Sequence, residues 1–170
     1  MLPCIVLVEP SHPGNIGAVA RAMKNMEHTD LRIVNPKQFP DNEASARASS
    51  ASDVLKNAQC FLSLEQAIAD CDLVLALSNR PRTLNWPVYN PQEAAEKFLY
   101  TQNKIAVVFG RESNGLSNDE LNLCHCQVTI PANTLGSGSL AVTSDVLESG
   151  DLTTSALTIA APTGAIVTFS

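Results

Sequence analysis

The apolar positions of this chain fall into short runs separated by polar or helix-patterned stretches. Residues 4–9, Cys-Ile-Val-Leu-Val-Glu, are too few for a helix and rich in β-branched side chains, which predicts a buried strand. Leu31–Val34, Asp72–Leu77, Lys104–Gly110 and Gln127–Ile130 predict further strands, with Pro36 and Pro131 stopping the second and the last. Between the strands the period changes. From Asn15 onward, Ile16, Val19, Ala20 and Met23 share one helix face. The Ala- and Ser-rich stretch Asp41–Ser52 is a candidate helix. Ser63 caps a helix that turns Leu64, Ala67 and Ile68 inward. Pro91 sits at the first position of a helix running toward Leu99. Asn118 caps another, whose acidic first turn Asp119-Glu120 suits the helix dipole. Strands that alternate with helices and are apolar on both sides predict an α/β fold, a parallel sheet with helices on both faces. Ser78–Asn90 reads as a polar loop, and Thr134–Ser170 fits neither period.

Composition narrows the class. At 170 residues the chain suits one domain, or a domain with a short tail. A hydrophobic share of 45% against 16% charged residues excludes a disordered chain. No apolar run approaches the roughly 18–20 residues of a membrane span, and the N-terminus lacks the basic start and small-residue cleavage site of a signal peptide. Five scattered cysteines, an odd number, point to reduced thiols and a cytoplasmic protein. The net charge of −6 argues against coating nucleic acid through bulk charge, yet leaves room for a local basic patch. All eleven Lys and Arg residues lie between Arg21 and Arg111, and none follows.

Ligands of open parallel sheets bind at the carboxyl ends of the strands, and three loops there carry unusual content. The first is residues 9–17, Glu-Pro-Ser-His-Pro-Gly-Asn-Ile-Gly, with Arg21 and Lys24 on the helix that follows. Its glycines and helix N-terminus suit an anion, with Arg21 reaching back toward that end; a glycine turn beside a solvated basic face fits equally. The second, residues 78–87, offers Arg80, Arg82 and Trp86 for phosphate contact and stacking, or else a surface loop whose Trp fills a crevice. The third places Arg111 and Glu112 directly after an apolar strand, as a site or as an ordinary ion pair at a loop base. In Cys124-His125-Cys126 the spacing is narrow for a metal pair and no second pair is in view, so buried thiols are the expectation and a metal is not. A strand reading puts Cys124 and Cys126 on one face and His125 on the other.

Residues 5–26, "IVLVEPSHPGNIGAVARAMKNM", residues 78–87, "SNRPRTLNWP", and residues 107–132, "VVFGRESNGLSNDELNLCHCQVTIPA", resemble, in that order and spacing, the SpoU branch of the SPOUT RNA methyltransferases. The likeness is closest to the TrmJ-type tRNA ribose 2′-O-methyltransferases. It implies an α/β trefoil-knot fold over residues 1–133, homodimers, S-adenosylmethionine as cofactor, and tRNA as substrate, at a pyrimidine of the anticodon loop, nucleotide 32. It assigns the catalytic roles to Asn15, Arg21 and Glu112. Cofactor contacts fall on Leu77, Ser78, Asn79, Gly110, Ile130, and on Ser139 and Leu140. Residues 134–170 depart from the family: a Ser-Leu-Asn-Leu run is expected, and Ser139-Leu140-Ala141 stands nearest to it. A divergent tail and a change of reading frame after about Asn133 both fit, and the abrupt loss of similarity and of basic residues favours the second.

A guanidinium is effectively never deprotonated in proteins. Arg21 is therefore expected to clamp phosphate and polarise a developing alkoxide, with Glu112 holding Arg21 or the ribose and Asn15 orienting the substrate. Arg21, Lys24, Arg80, Arg82 and Arg111 are the expected RNA-binding face. Two rivals remain: a non-catalytic binder of RNA or cofactor with a defective third motif, and a phosphate-binding enzyme using Gly14–Gly17.

Overall fold

A computed structural model describes residues 2–79, 86–98 and 103–130, together with the strand backbones of 157–160 and 166–169. In chain order the strands are β1 (Cys4–Val8), β2 (Leu31–Val34), β3 (Gln59–Phe61), β4 (Leu73–Leu77), β5 (Val88–Tyr89), β6 (Ile105–Phe109) and β7 (Cys126–Val128). They form one sheet in the order β3-β2-β1-β6-β4-β7-β5, every pairing parallel. The helices are α1 (Pro13–Asn25), α2 (Asn42–Ala48), α3 (Ser52–Asn57), α4 (Leu64–Ile68), α5 (Pro91–Phe98) and α6 (Asn118–Asn122). A separate antiparallel pair, β8 (Leu157–Ala160) with β9 (Ile166–Phe169), lies in the tail that no period fitted.

The two-residue alternation of the strands sorts the core onto two faces. Val6, Val8, Val74, Ala76, Ala106 and Val108 pack with Leu64, Ala67 and Ile68 of α4 and Leu121 of α6. Ile5, Leu7, Leu31 and Ile33 meet Ile16, Ala20 and Met23 of α1, backed by α2 and α3. Leu75, Ile105 and Val128 pack with Ala94 of α5. Gly17 lets α1 lie against α2: a Cβ there would stand 2.3 Å from the Ala44 carbonyl oxygen. The glycine read as a ligand approach is used for helix packing.

Other expectations shift. Helix α1 begins at Pro13, two residues before Asn15, because the His12 side chain caps it. Helix α6 is capped by Ser117, not Asn118: Ser117 and Glu120 form a reciprocal capping box. The stretch read as one candidate helix is α2, a 3₁₀ turn at Ser49–Ala51 and α3. The polar loop before Pro91 includes β5, a two-residue edge strand. Cys124 and Cys126 face opposite sides of the sheet, because strand alternation begins only at Cys126, after the turn that closes α6. Both thiols are buried, which pushes Cys124 up to about 12 and Cys126 up to about 11. His125 is tied to β4: its Nδ1 accepts from the Val74 N–H at 2.9 Å. Among the described residues no cluster of three or more His, Cys, Asp or Glu suits a metal, and no helix is long and apolar enough to cross a membrane. The segment expected to close the knot, after Ile130, lies outside the described residues.

Candidate active site

Strands β1 and β6 are neighbours, but the chain leaves them toward opposite faces, to α1 from β1 and to α6 from β6. That divergence opens a crevice at their carboxyl ends. The register pairs Leu7 with Phe109, so Glu9 and Arg111 emerge side by side. Glu9 adopts φ 46°, in the left-handed region, and turns its carboxylate onto Arg111 Nε at 2.8 Å. The other face of the guanidinium meets Glu120 in a two-pronged pair of 2.9 and 2.8 Å. Arg111 also closes the following turn, exchanging backbone hydrogen bonds with Gly115 at 3.2 and 2.8 Å. The turn folds so tightly over Gly110 that a Cβ there would stand 2.2 Å from the Gly115 carbonyl carbon.

This turn delivers Glu112 to the opening loop. Glu112 Oε1 accepts from Asn15 Nδ2 at 2.8 Å, and Oε2 accepts from the Ser11 N–H at 3.0 Å and the Ser11 hydroxyl at 2.8 Å. Burial pushes this carboxyl up, but the hydrogen bonds from Asn15 and Ser11 together outweigh burial and hold it below its ordinary value. Glu112 is therefore ionised at neutral pH, and every group that grips it among the described residues is uncharged. Arg111 differs: the hydrogen bonds it donates to Glu120 and Glu9 hold its charge in place. The adjacent Arg111 and Glu112 are not a pair with each other.

Five of the expected cofactor residues, Leu77, Ser78, Asn79, Gly110 and Ile130, gather on one stretch of the rim. Leu77 is level with Phe109 on one side and Val128 on the other, so Leu77–Asn79, Gly110 and Ile130 follow three adjacent strands. Gln127, buried, fixes this rim by donating to the Ser78 carbonyl at 2.8 Å, joined by the Thr129 hydroxyl at 3.0 Å. Ile130 is buried and Leu77 half-buried.

The expected basic face is less uniform. Arg21 is exposed and makes no hydrogen bond or ion pair among the described residues. It sits six residues beyond Asn15, about 9 Å along the helix axis and on another side of it, so it does not join Glu112 within the subunit. Lys24 is paired with Asp53. Arg111 is held by two carboxylates. Arg80, Arg82, Ser139 and Leu140 lie outside the described residues. The helix N-terminus at Gly14 faces Glu43, whose carboxylate is 3.9 Å from His12, a poor setting for phosphate. Sequence reasoning missed Ser11, Gln127 and Thr129. Ser11 grips a residue 101 positions away, a contact for which the sequence carries no local signal.

Comparison with known proteins adds four findings. Residues 3–146 match the SpoU rRNA methylase family. The tRNA (cytidine/uridine-2′-O-)-methyltransferase TrmJ of Salmonella typhimurium is 52% identical over 131 residues, covering 76% of this chain and 54% of that protein. The chain thus spans about half the length of this curated relative. Among solved structures, TrmJ from Z. mobilis superposes with a TM-score of 0.76 at 37% identity, over 79% of this chain and 60% of that one. The SpoU methyltransferase AviRb from Streptomyces viridochromogenes, in complex with the cofactor AdoMet, shares the fold at 19% identity and a TM-score of 0.61, over 78% of this chain and 52% of that one.

Proposed function

The chain belongs to the SpoU rRNA methylase family, and from that membership we propose that it methylates the ribose 2′-hydroxyl of a tRNA pyrimidine, taking the methyl group from S-adenosylmethionine and working as a cytoplasmic homodimer. Nucleotide 32 of the anticodon loop is the target implied by the resemblance to TrmJ-type enzymes. The observation that carries the reading is the Glu112 carboxylate, held at the β1–β6 crevice by Asn15 and Ser11 of the opening motif.

The residues at the strand ends suit this cofactor. Leu77 and Ile130 offer apolar surface for a flat base, Gly110 and the 77–79 segment offer backbone edges, and none of these positions is charged. Bound there, S-adenosylmethionine supplies a methyl group activated by a sulfonium. The protein's part is alignment and charge. Asn15 and Ser11 take three of the roughly four acceptor sites of the Glu112 carboxylate, and with the one left on Oε1 it holds the ribose hydroxyl or an incoming guanidinium. Within one subunit Arg21 stands apart from Glu112, so Arg21 of the partner subunit is the group proposed to clamp phosphate and to polarise the oxygen as it loses its proton. Arg111 is assigned to holding the turn and Lys24 is shared with Asp53, which leaves Arg21, Arg80 and Arg82 as the main proposed RNA contacts and Lys24 as a weaker one.

Arg21→Ala is expected to lower methyl transfer to bulk tRNA about 100-fold while calorimetry finds cofactor affinity within twofold of the unaltered protein. Cofactor affinity lost in parallel contradicts the assignment. The departure at Ser139-Leu140-Ala141 favours one rival, a binder without turnover. Cofactor binding by the unaltered chain with no transfer to tRNA supports that rival.

A further inference from the structure

The amino end of the sheet, remote from the crevice, holds a second concentration of chemistry that methyl transfer does not use. Arg32 points from β2 into the core, its side chain 4% exposed. Asp30 accepts from its Nε and Nη2 at 3.0 and 2.9 Å, and Asp70 accepts from Nη1 and Nη2 at 2.5 and 3.1 Å. The Ala67 carbonyl in α4 accepts from Nη1 at 2.6 Å, and Lys104 adds a second cation on Asp70. Two thiols lie against this cluster. Cys71 Sγ is 3.8 Å from Arg32 Nη1 and 3.7 Å from Cys4 Sγ, although the two cysteines are 67 residues apart in sequence.

The pair is asymmetric. Cys4 is fixed in β1 and sealed, 1% exposed. Cys71 is half-buried, in the turn between α4 and β4, where the backbone is free of the sheet's hydrogen-bond ladder. The other three thiols stand differently: Cys60 is exposed on the edge strand β3, and Cys124 and Cys126 face opposite sides of the sheet.

We propose that Cys4 and Cys71 are a modification site, a dithiol that closes reversibly to a disulfide by exchange with small disulfides of the glutathione class. In the first step the Cys71 thiolate attacks one sulfur of the small disulfide. A mixed disulfide forms, and the other half departs as its thiolate. In the second step Cys4, its proton lost to solvent, attacks Cys71 Sγ and expels the second small thiolate. The two electrons leaving the cysteine pair reduce the small disulfide, and the two protons end on the two small thiols. A sulfur contact of 3.7 Å has to close to a bond of about 2 Å, and Cys71 lies outside the strand ladder that fixes Cys4. Burial pushes both thiols up, Cys4 to about 12, while the nearby Arg32 charge pulls both down. The exchange is accordingly slow at neutral pH and quickens as the solution becomes alkaline.

The test uses the full chain carrying Cys60→Ser, which removes the exposed thiol. The folded protein is incubated with oxidised glutathione at mildly alkaline pH, quenched with acid, alkylated and digested. The expected result is a peptide pair joined through Cys4 and Cys71, reopened by excess reduced glutathione, with Cys124 and Cys126 still free. Adding Cys4→Ser is expected to trap glutathione on Cys71. The proposal is overturned if Cys71 remains a free thiol in the protein that retains Cys4, or carries glutathione stably while Cys4 is present. The mapping of the protein that retains Cys4 decides the matter even if Cys4→Ser fails to fold.

Discussion

At the amino end of the sheet, Arg32 lies between Asp30 and Asp70, and Lys104 adds a second cation to the group. At the carboxyl end, Arg111 lies between Glu9 and Glu120. Both guanidiniums are satisfied by carboxylates, as a partly or fully buried charge requires. The two ends differ in what stands beside the pair. At the amino end the two carboxylates on Arg32 share that cation, and Asp70 has Lys104 as well. At the carboxyl end the same arrangement holds a turn whose next residue, Glu112, is gripped among the described residues by the neutral groups of Asn15 and Ser11. One network consumes its charge in fixing the fold. The other presents an ionised carboxylate whose charge no cation among the described residues offsets, which is what a site that takes up a guanidinium or a hydroxyl needs.

The largest expected effect falls on that carboxylate. Glu112→Gln keeps the shape and removes the charge and one acceptor oxygen, and we expect methyl transfer to fall about 100-fold or more with a smaller loss in urea unfolding than Arg32→Met causes. A variant that unfolds early but transfers methyl normally would reverse the roles given to the two ends. Next comes Arg32→Met, which leaves two carboxylates without their common partner. Because Asp70 is half exposed, the cost belongs at the low end for a broken buried pair, about 3 kcal/mol in urea unfolding.

Acid sharpens the comparison further. Glu9, Glu112 and Glu120 all sit below their ordinary value of 4.5. A carboxyl lowered by folding contributes stability that is present above its unfolded value and lost as pH falls through the folded one. Asp70 is held much further down by Arg32 and Lys104. Amide exchange as pH falls below 4.5 should therefore loosen residues 110–115 before residues 67–72. Simultaneous loosening would show that the two networks are one cooperative unit. The smallest effect is expected from Lys24→Ala, since Lys24 and Asp53 are both about half exposed. Thermal unfolding should not change measurably, and tRNA affinity should fall less than for Arg21→Ala.

The five strands that run through the sheet interior were legible because burial on both faces writes a continuous apolar run. Leu31–Val34 matches the observed strand residue for residue, and 72–77 and 104–110 overrun theirs only at the ends. The edge strands were not legible. Gln59–Phe61 is largely exposed and Val88–Tyr89 is two residues long, so neither writes a pattern. The Ser117 cap was within reach, because Ser117 and Glu120 carry the spacing of a capping box. The two thiols of Cys124-His125-Cys126 face opposite sides because Cys124 belongs to the turn that ends α6, where strand alternation does not hold. At the site, the motifs identified Asn15, Gly110 and Glu112 as candidates, and the structure joins Asn15 to Glu112. The partners of Arg111 come from residues 9 and 120, and adjacency in sequence pointed to Glu112 instead.

The central claim is that the Glu112 of one subunit works with the Arg21 of another, and a mixed dimer tests it most directly. Arg21→Ala and Glu112→Gln chains, coexpressed with different tags and purified as the heterodimer, leave one of two sites with both groups intact if the residues act across the interface. The account predicts methyl transfer at about half the rate of the unaltered dimer, from two parents that are each inactive alone. A heterodimer as inactive as its parents would contradict it.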